Sequence, residues 1–236
     1  MMPDKFYPLT RSFIAVLLLH SLLWGADRTT VREQWWTFED DQSELIADFV
    51  SEVGRWELVK EGANHVLAQR AENRNDVFNV VLNDQTSYKN MDLTVRIKPV
   101  AGENDGGGGL IWRAKDKDNY YVVSYNPFVS RHKRQKASFR LFKVQNGLRT
   151  QLDQADIDGE TITDIVGEAP RETTWHALRV TMYGEEMVAY LDGKRLLEAE
   201  DATFLDVGKI GLWTKSDART YFDDLKVSVL EKRDTK

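Results

Sequence analysis

"MDLTVRIKP", residues 91–99, decides the fold. Met91, Leu93, Val95 and Ile97 alternate with Asp92, Thr94, Arg96 and Lys98. In an extended chain successive side chains point to opposite faces, so a period of two means one apolar face, one wet face and a half-buried β-strand. "WHALRVTMYG" (175–184) keeps the same beat through Leu178, Val180 and Met182. "EMVAYLDGKRLLEAE" (186–200) and "KASFRLFKVQNGLRTQL" (136–152) each fold such runs back on themselves, at Asp192-Gly193 and Asn146-Gly147. Those dipeptides accept the positive φ angles of a two-residue hairpin turn. Further strands are expected over 56–60, 64–70, 76–82, 109–114, 119–125, 208–214 and 219–230, and no helix longer than two turns is expected. Short strands at hairpin spacing with no βαβ rhythm predict an all-β, two-sheet antiparallel jelly-roll sandwich.

The chain of 236 residues is long enough for one domain with a full core. It is rich in aromatics, with seven Trp, eight Tyr and ten Phe, and its formal charge is −6. That charge offers no basic field to nucleic acid or anionic lipid, and a neutral partner such as a sugar suits it better. There is no cysteine, which excludes disulfides, thiolate catalysis and cysteine zinc sites.

Residues 1–26 read as a signal peptide: Lys5 and Arg11 form a weak basic start, "FIAVLLLHSLLW" (13–24) the apolar stretch, and "GAD" small residues for cleavage. The apolar run is shorter than the roughly 20 residues a span requires and carries His20, so no membrane span is expected after cleavage. The expected location is secreted or periplasmic. Cleavage removes Asp4, Lys5 and Arg11, taking the net charge from −6 to −7. With no repeat and no Pro- or Ser-rich linker, residues 27–232 are expected to form a single jelly-roll domain, with 233–236 as a tail.

"GLIWRAKDKDNYYVVSYNP" (109–127) and "GKIGLWTKSDARTYFDDLKV" (208–227), with "WHALRV" and "YLDGKRLLEAED", resemble the concanavalin A-like lectin/glucanase superfamily. Within it the chain resembles exported bacterial domains grouped as 3-keto-disaccharide hydrolase-like or laminin-G-like, over roughly residues 36–230. The resemblance implies a jelly roll with a concave face that holds carbohydrate, a bound calcium in some members, and glycoside cleavage in others. Where the hydrolase members carry Asn-Ser-Gly, this chain has Gly106–Gly109 followed by Leu110-Ile111, and the basic run "SRHKRQK" (130–136) looks inserted.

A sugar site needs flat aromatic surface beside planar hydrogen-bonding groups. The residues that fit are Trp112, Arg113, Asn119, Tyr121, Asn126, Trp213 and Lys215, with Asp118 and Asp217 as candidate catalytic carboxylates. Alternation places Trp112 and Arg113 on opposite faces, and likewise Tyr120 and Tyr121. The glycine-rich "AGENDGGGG" (101–109) is expected to be a mobile loop or a close backbone approach, and its Glu103 and Asp105 are further candidate acids.

"EDDQSE" (39–44) has the E-x-D-x-x-E spacing of glucan-cleaving sites. Alternation puts Glu39 and Asp41 on one face but Glu44 on the other, and the residues between are too polar to anchor a core strand. The stretch reads as a strand end rather than a catalytic strand. Its acids suit an ion better: "FED" (38–40) and "FDD" (222–224) begin and end the domain, and paired termini would bring together Glu39, Asp40, Asp223 and Asp224. Hard carboxylate oxygens of that kind are Ca²⁺ ligands. His176 is expected as a solvated surface histidine.

Two readings of function follow. One is a carbohydrate-binding domain recognising a neutral glycan through an aromatic-polar concave face. The other is a glycoside hydrolase acting on 3-keto-disaccharides or related glycans. A protein-interaction domain is a third.

Overall fold

The computed structural model describes residues 28–39, 46–74, 76–102, 105–129, 136–158, 160–161 and 174–233. The expected leader, Asp40 through Glu44, Glu103 and most of the basic run 130–136 lie outside the described residues.

The chain runs through β1 (Arg28–Trp36), a three-residue 3₁₀ turn (Ile46–Asp48), β2 (Phe49–Val53), β3 (Trp56–Glu61), β4 (Asn64–Gln69), β5 (Phe78–Asn83) and β6 (Met91–Ala101). Then follow β7 (Gly108–Asp116), β8 (Asn119–Asn126), β9 (Phe128–Val129), β10 (Ser138–Gln145), β11 (Leu148–Asp156) and β12 (Glu160–Thr161). The last strands are β13 (His176–Tyr183), β14 (Glu186–Leu191), β15 (Lys194–Glu200), β16 (Lys209–Lys215) and β17 (Arg219–Lys232).

Two large sheets result. One has the order β15-β14-β13-β6-β17-β4-β3, with β1 also paired to β17; the other is β11-β10-β8-β7-β16-β5-β2. Every ladder within them is antiparallel, and the short β9–β12 pair is parallel. This is the expected two-sheet jelly-roll sandwich.

The alternation in β6 sets the first sheet. Met91, Leu93, Val95 and Ile97 are buried and face the second sheet, with Leu93 opposite Val180 of β13 and Val227 of β17. Both expected hairpins form, with positive φ at Asn146-Gly147 and Asp192-Gly193. The first and last strands pair as expected, Trp36 opposite Leu225, so Phe38 and Phe222 both enter the core.

The second sheet departs from simple alternation because it is apolar on both faces. Leu110, Trp112, Tyr121, Val123 and Leu212 join the main core, whereas Ile111, Tyr120, Val122, Phe142 and Trp213 form a second cluster on the opposite side. Unbroken apolar runs such as "LIW" and "YYVV" are the signature of a strand buried on both faces.

That opposite side is concave. Arg149 of edge strand β11 lies 5.4 Å from the ring centroid of Phe78 on β5, although four strands separate β11 from β5 in the sheet. In a flat sheet five spacings would hold those strands roughly 24 Å apart. Only a strongly curled sheet closes that gap.

Candidate functional site

The curl produces a groove in two parts. The smaller hollow, about 160 Å³, lies where β7 begins and β8 and β16 end; Trp213 and Phe142 supply its apolar lining, and Asn126, Arg140, Lys215 and Asp105 its polar lining. The larger, about 520 Å³, continues past Phe78 toward Asp118 and Leu148. Arg149 and Lys215 line both, so the two hollows are neighbours along one groove. The smaller lies below the roughly 300–1,000 Å³ of drug-sized ligand pockets, so it accommodates one small unit of a larger ligand.

Each lining group is held from a particular element. Arg149 packs over Phe142 at 4.2 Å, which fixes its guanidinium on an aromatic floor. Loss of hydration there pushes its pKa below the ordinary arginine value; Asp105 opposes the shift and Arg140 adds to it by repulsion. Lys215 donates to Asp105 at 2.9 Å, and the Asp105 backbone N–H donates to Asp217 Oδ1 at 3.1 Å. Trp213 stacks obliquely on Phe78 with centroids 5.5 Å apart. Two polar atoms behind this lining, Trp213 Nε1 and Tyr120 Oη, are buried with no well-formed hydrogen bond among the described residues. Burial raises the Tyr120 pKa steeply, with the Trp213 indole offsetting part of the rise.

Of the residues expected at a sugar site, Asn126, Trp213 and Lys215 meet in the smaller hollow. The other four do not line the groove. Trp112 and Tyr121 stack on each other inside the sandwich, centroids 5.9 Å apart, and both are fully buried. Arg113 is 1% exposed; its Nε donates to Lys89 O at 2.9 Å and its Nη1 to Phe204 O at 2.8 Å. A bulge between Trp112 and Asp116 carries Arg113 at φ 49° into this interior role, which alternation alone does not predict. Asn119 serves the β7–β8 turn, donating to Asp116 and accepting from the Asn146 backbone N–H. Conversely, Arg140, Phe142 and Arg149 are groove residues that the sequence reading passed over. The alternation of "SFRLFKV" does place Arg140 and Phe142 on one face.

Tyr121 has a structural task. Its hydroxyl donates to Asp201 Oδ1 at 2.6 Å and accepts from the Phe204 backbone N–H at 3.1 Å. Burial would raise the Asp201 pKa, but bonds from Lys143, Thr203 and Tyr121 together outweigh it and hold the carboxyl down at about 2. Tyr121→Phe is therefore expected to cost about 1–3 kcal/mol in urea unfolding by leaving those groups short of a partner, with ligand affinity unchanged. A loss of affinity with unchanged stability would return Tyr121 to the site.

The two candidate catalytic acids lie in different places. Asp118 lines the larger hollow and accepts from Lys117 at 2.6 Å, whereas Asp217 lies behind Asp105.

Among the described residues, the acids expected to bind calcium (Glu39, Asp223 and Asp224) form no metal-type cluster. Asp223 Oδ1 accepts from the Asp224 backbone N–H at 2.8 Å and its Oδ2 from Asn64 Nδ2 at 3.1 Å, while Asp224 pairs with Arg96. Oxygens already facing N–H donors are poorly placed to coordinate Ca²⁺. Among the described residues no group of three or more His, Cys, Asp or Glu could hold a metal ion, and Asp40 lies outside them. His176 is likewise not simply solvated: it bonds Asp192 at 2.7 Å and packs on Tyr125, because a spacing of two puts it on the same face as Leu178.

No family model and no curated protein matches the chain. Solved structures do. A carbohydrate-binding module (CBM66) from Bacillus subtilis matches with a TM-score of 0.58 at 20% identity, over 78% of this chain and 95% of that one. The exoplasmic/lumenal domain of VIP36, solved with Ca²⁺ and Man3GlcNAc, matches with a TM-score of 0.53 at 16% identity, over 80% and 85%. A glycoside hydrolase family 16 endo-glucanase from Bacteroides ovatus matches with a TM-score of 0.55 at 9% identity, over 82% and 99%. At these identities the likeness shows the fold: a concanavalin A-like jelly-roll sandwich.

Proposed function

From a sandwich of concanavalin A-like fold, we propose that this chain is a carbohydrate-binding domain whose site is the groove on the concave face of the seven-stranded sheet. The observation that carries the reading is the curl that sets Arg149 above an aromatic floor, with hollows to either side. The exposed Leu148 offers apolar surface to a pyranose ring, with the small uncovered parts of Trp213 and Phe142 beside the groove, while Asn126, Arg140, Lys215 and Asp105 offer donors and acceptors to hydroxyls. Structural neighbours of this fold that bind or cleave glycans support the class of ligand. The leader-like residues 1–26 support export, to the periplasm or beyond.

A hydrolase is the second reading, favoured by one feature: Asp105 and Asp118 line the two hollows that share Arg149. The same screen decides between them. Full-length protein is titrated against neutral and acidic oligosaccharides, including 3-keto-glucosides, with product release followed in parallel. Asn126→Ala and Trp213→Phe are expected to weaken binding about tenfold while Val31→Ala, on the other sheet, leaves it unchanged. Binding that ignores both groove variants would overturn the site. Product release lost in Asp105→Asn or Asp118→Asn would make the protein an enzyme.

A further inference from the structure

We infer that the saccharide unit seated in the smaller hollow carries a carboxylate, received by Arg140 and Arg149. The inference rests on the groove reading above and narrows its ligand to a uronate-bearing glycan.

The charge of the hollow differs from that of the chain. Its lining holds Lys136, Arg140, Arg149 and Lys215 against Asp105, four positive groups and one negative, a local +3 in a protein of net −6. Bulk charge makes a neutral partner the simplest expectation, but it does not describe this spot.

The two lysines are accounted for. Lys215 pairs with Asp105 at 2.9 Å and Lys136 with Asp156 at 3.3 Å. The two arginines are not: among the described residues neither has a carboxylate within ion-pairing distance. Arg149 at least rests on Phe142 and Phe78. Arg140 has no such contact, and its Nε is buried with no hydrogen-bond partner. A buried donor on a charged group is costly to leave unpaired, more so beside a second guanidinium. An anion between the two removes both penalties, whereas a neutral hydroxyl satisfies the N–H but leaves the repulsion.

Geometry favours a carboxylate. Guanidinium offers parallel N–H groups in a plane, matching the two oxygens of a carboxylate, where a point charge would call only for lysine. The hollow takes one unit, and the small uncovered part of Trp213 lies beside the arginines. A long polyanion would meet net negative charge outside the hollow.

The test is calorimetric titration of the full chain with tetrasaccharides of galacturonate, glucuronate and mannuronate, each beside its methyl ester and a sulfated neutral tetrasaccharide. Esterification removes the charge and nearly keeps the shape. At least one uronate is expected to bind about tenfold or more tighter than its ester, and Arg140→Gln is expected to erase that preference while ester binding persists. Arg140→Lys, which keeps the charge but loses the fork, should restore only part of it, and thermal melts establish that each variant is folded. Equal binding of uronate and ester, with Arg140→Gln silent, overturns the carboxylate while the groove reading stands. A sulfated ligand preferred over every uronate also overturns it. No binding by any member, neutral ones included, overturns both readings together.

Discussion

Gly107→Ala is expected to cost about 2–6 kcal/mol of folding stability, a large share of the 5–15 kcal/mol typical of a domain. Two penalties coincide there. A Cβ on Gly107 would lie 2.0 Å from the Tyr125 carbonyl oxygen, backbone of the neighbouring strand β8, which cannot swing aside as a side chain would. Gly107 also has φ 144°, a region that L side chains rarely adopt. Backbone strain of this kind costs about 1–3 kcal/mol and forced overpacking about 1–3 kcal/mol more. Gly184 gives a milder reference without crowding: its φ is 62°, in the left-handed helical region, and a Cβ there meets nothing within 4 Å. Gly184→Ala should therefore lose only about 1–2 kcal/mol. Urea unfolding of both variants decides; a Gly107→Ala loss no greater than that of Gly184→Ala would show that the strands part easily. Because Gly107 also lines the smaller hollow, a tolerated alanine would make the groove adaptable rather than preformed.

The glycine-rich run shows what kind of information the sequence carried. Its composition pointed to close backbone approach, and the approach is real, with strand β8 as the partner. Alternation located β6 and β13 because those strands have one wet face, and the turn dipeptides Asn146-Gly147 and Asp192-Gly193 located the hairpins. Alternation could not resolve the second sheet, where both faces are apolar: it separates Trp112 from Arg113 and Tyr120 from Tyr121 without saying which member faces the main core, and Trp112 and Tyr121 do. Arg113 was lost to a bulge, a backbone event without a composition signature. The groove itself arises from curvature summed over several strands, which no local window contains. Trp213, Asn126 and Lys215 were legible because they lie in one recognisable stretch or its partner. Arg140 and Arg149 belong to a hairpin whose role depends on how far the sheet curls.

Asp223→Asn is expected to stabilise the protein at neutral pH and to do nothing at pH 4. Asp223 is 1% exposed on β17, and burial, with repulsion from Asp224 and Glu39, raises its pKa from 3.8 to about 6 despite the Asp224 N–H bond and the attraction of Arg96. Below the unfolded value both states hold the proton and its stabilising contribution is complete. Between 3.8 and about 6 the unfolded chain ionises first, so unfolding releases a proton and stability falls as pH rises. Above that the folded protein carries a buried carboxylate at a penalty of about 3 kcal/mol, from roughly two pKa units at 1.36 each. Asparagine is neutral throughout and keeps an oxygen to accept from the Asp224 N–H, with Asn64 free to turn its own amide to match. The gain should thus be about 1–3 kcal/mol at pH 7.5, vanishing by pH 4, read from urea midpoints across that range. A variant that is destabilised at pH 7.5, or whose difference from the parent is flat with pH, would show that the carboxylate is wanted there. In that case the acids of the β1–β17 seam would regain their claim on a cation.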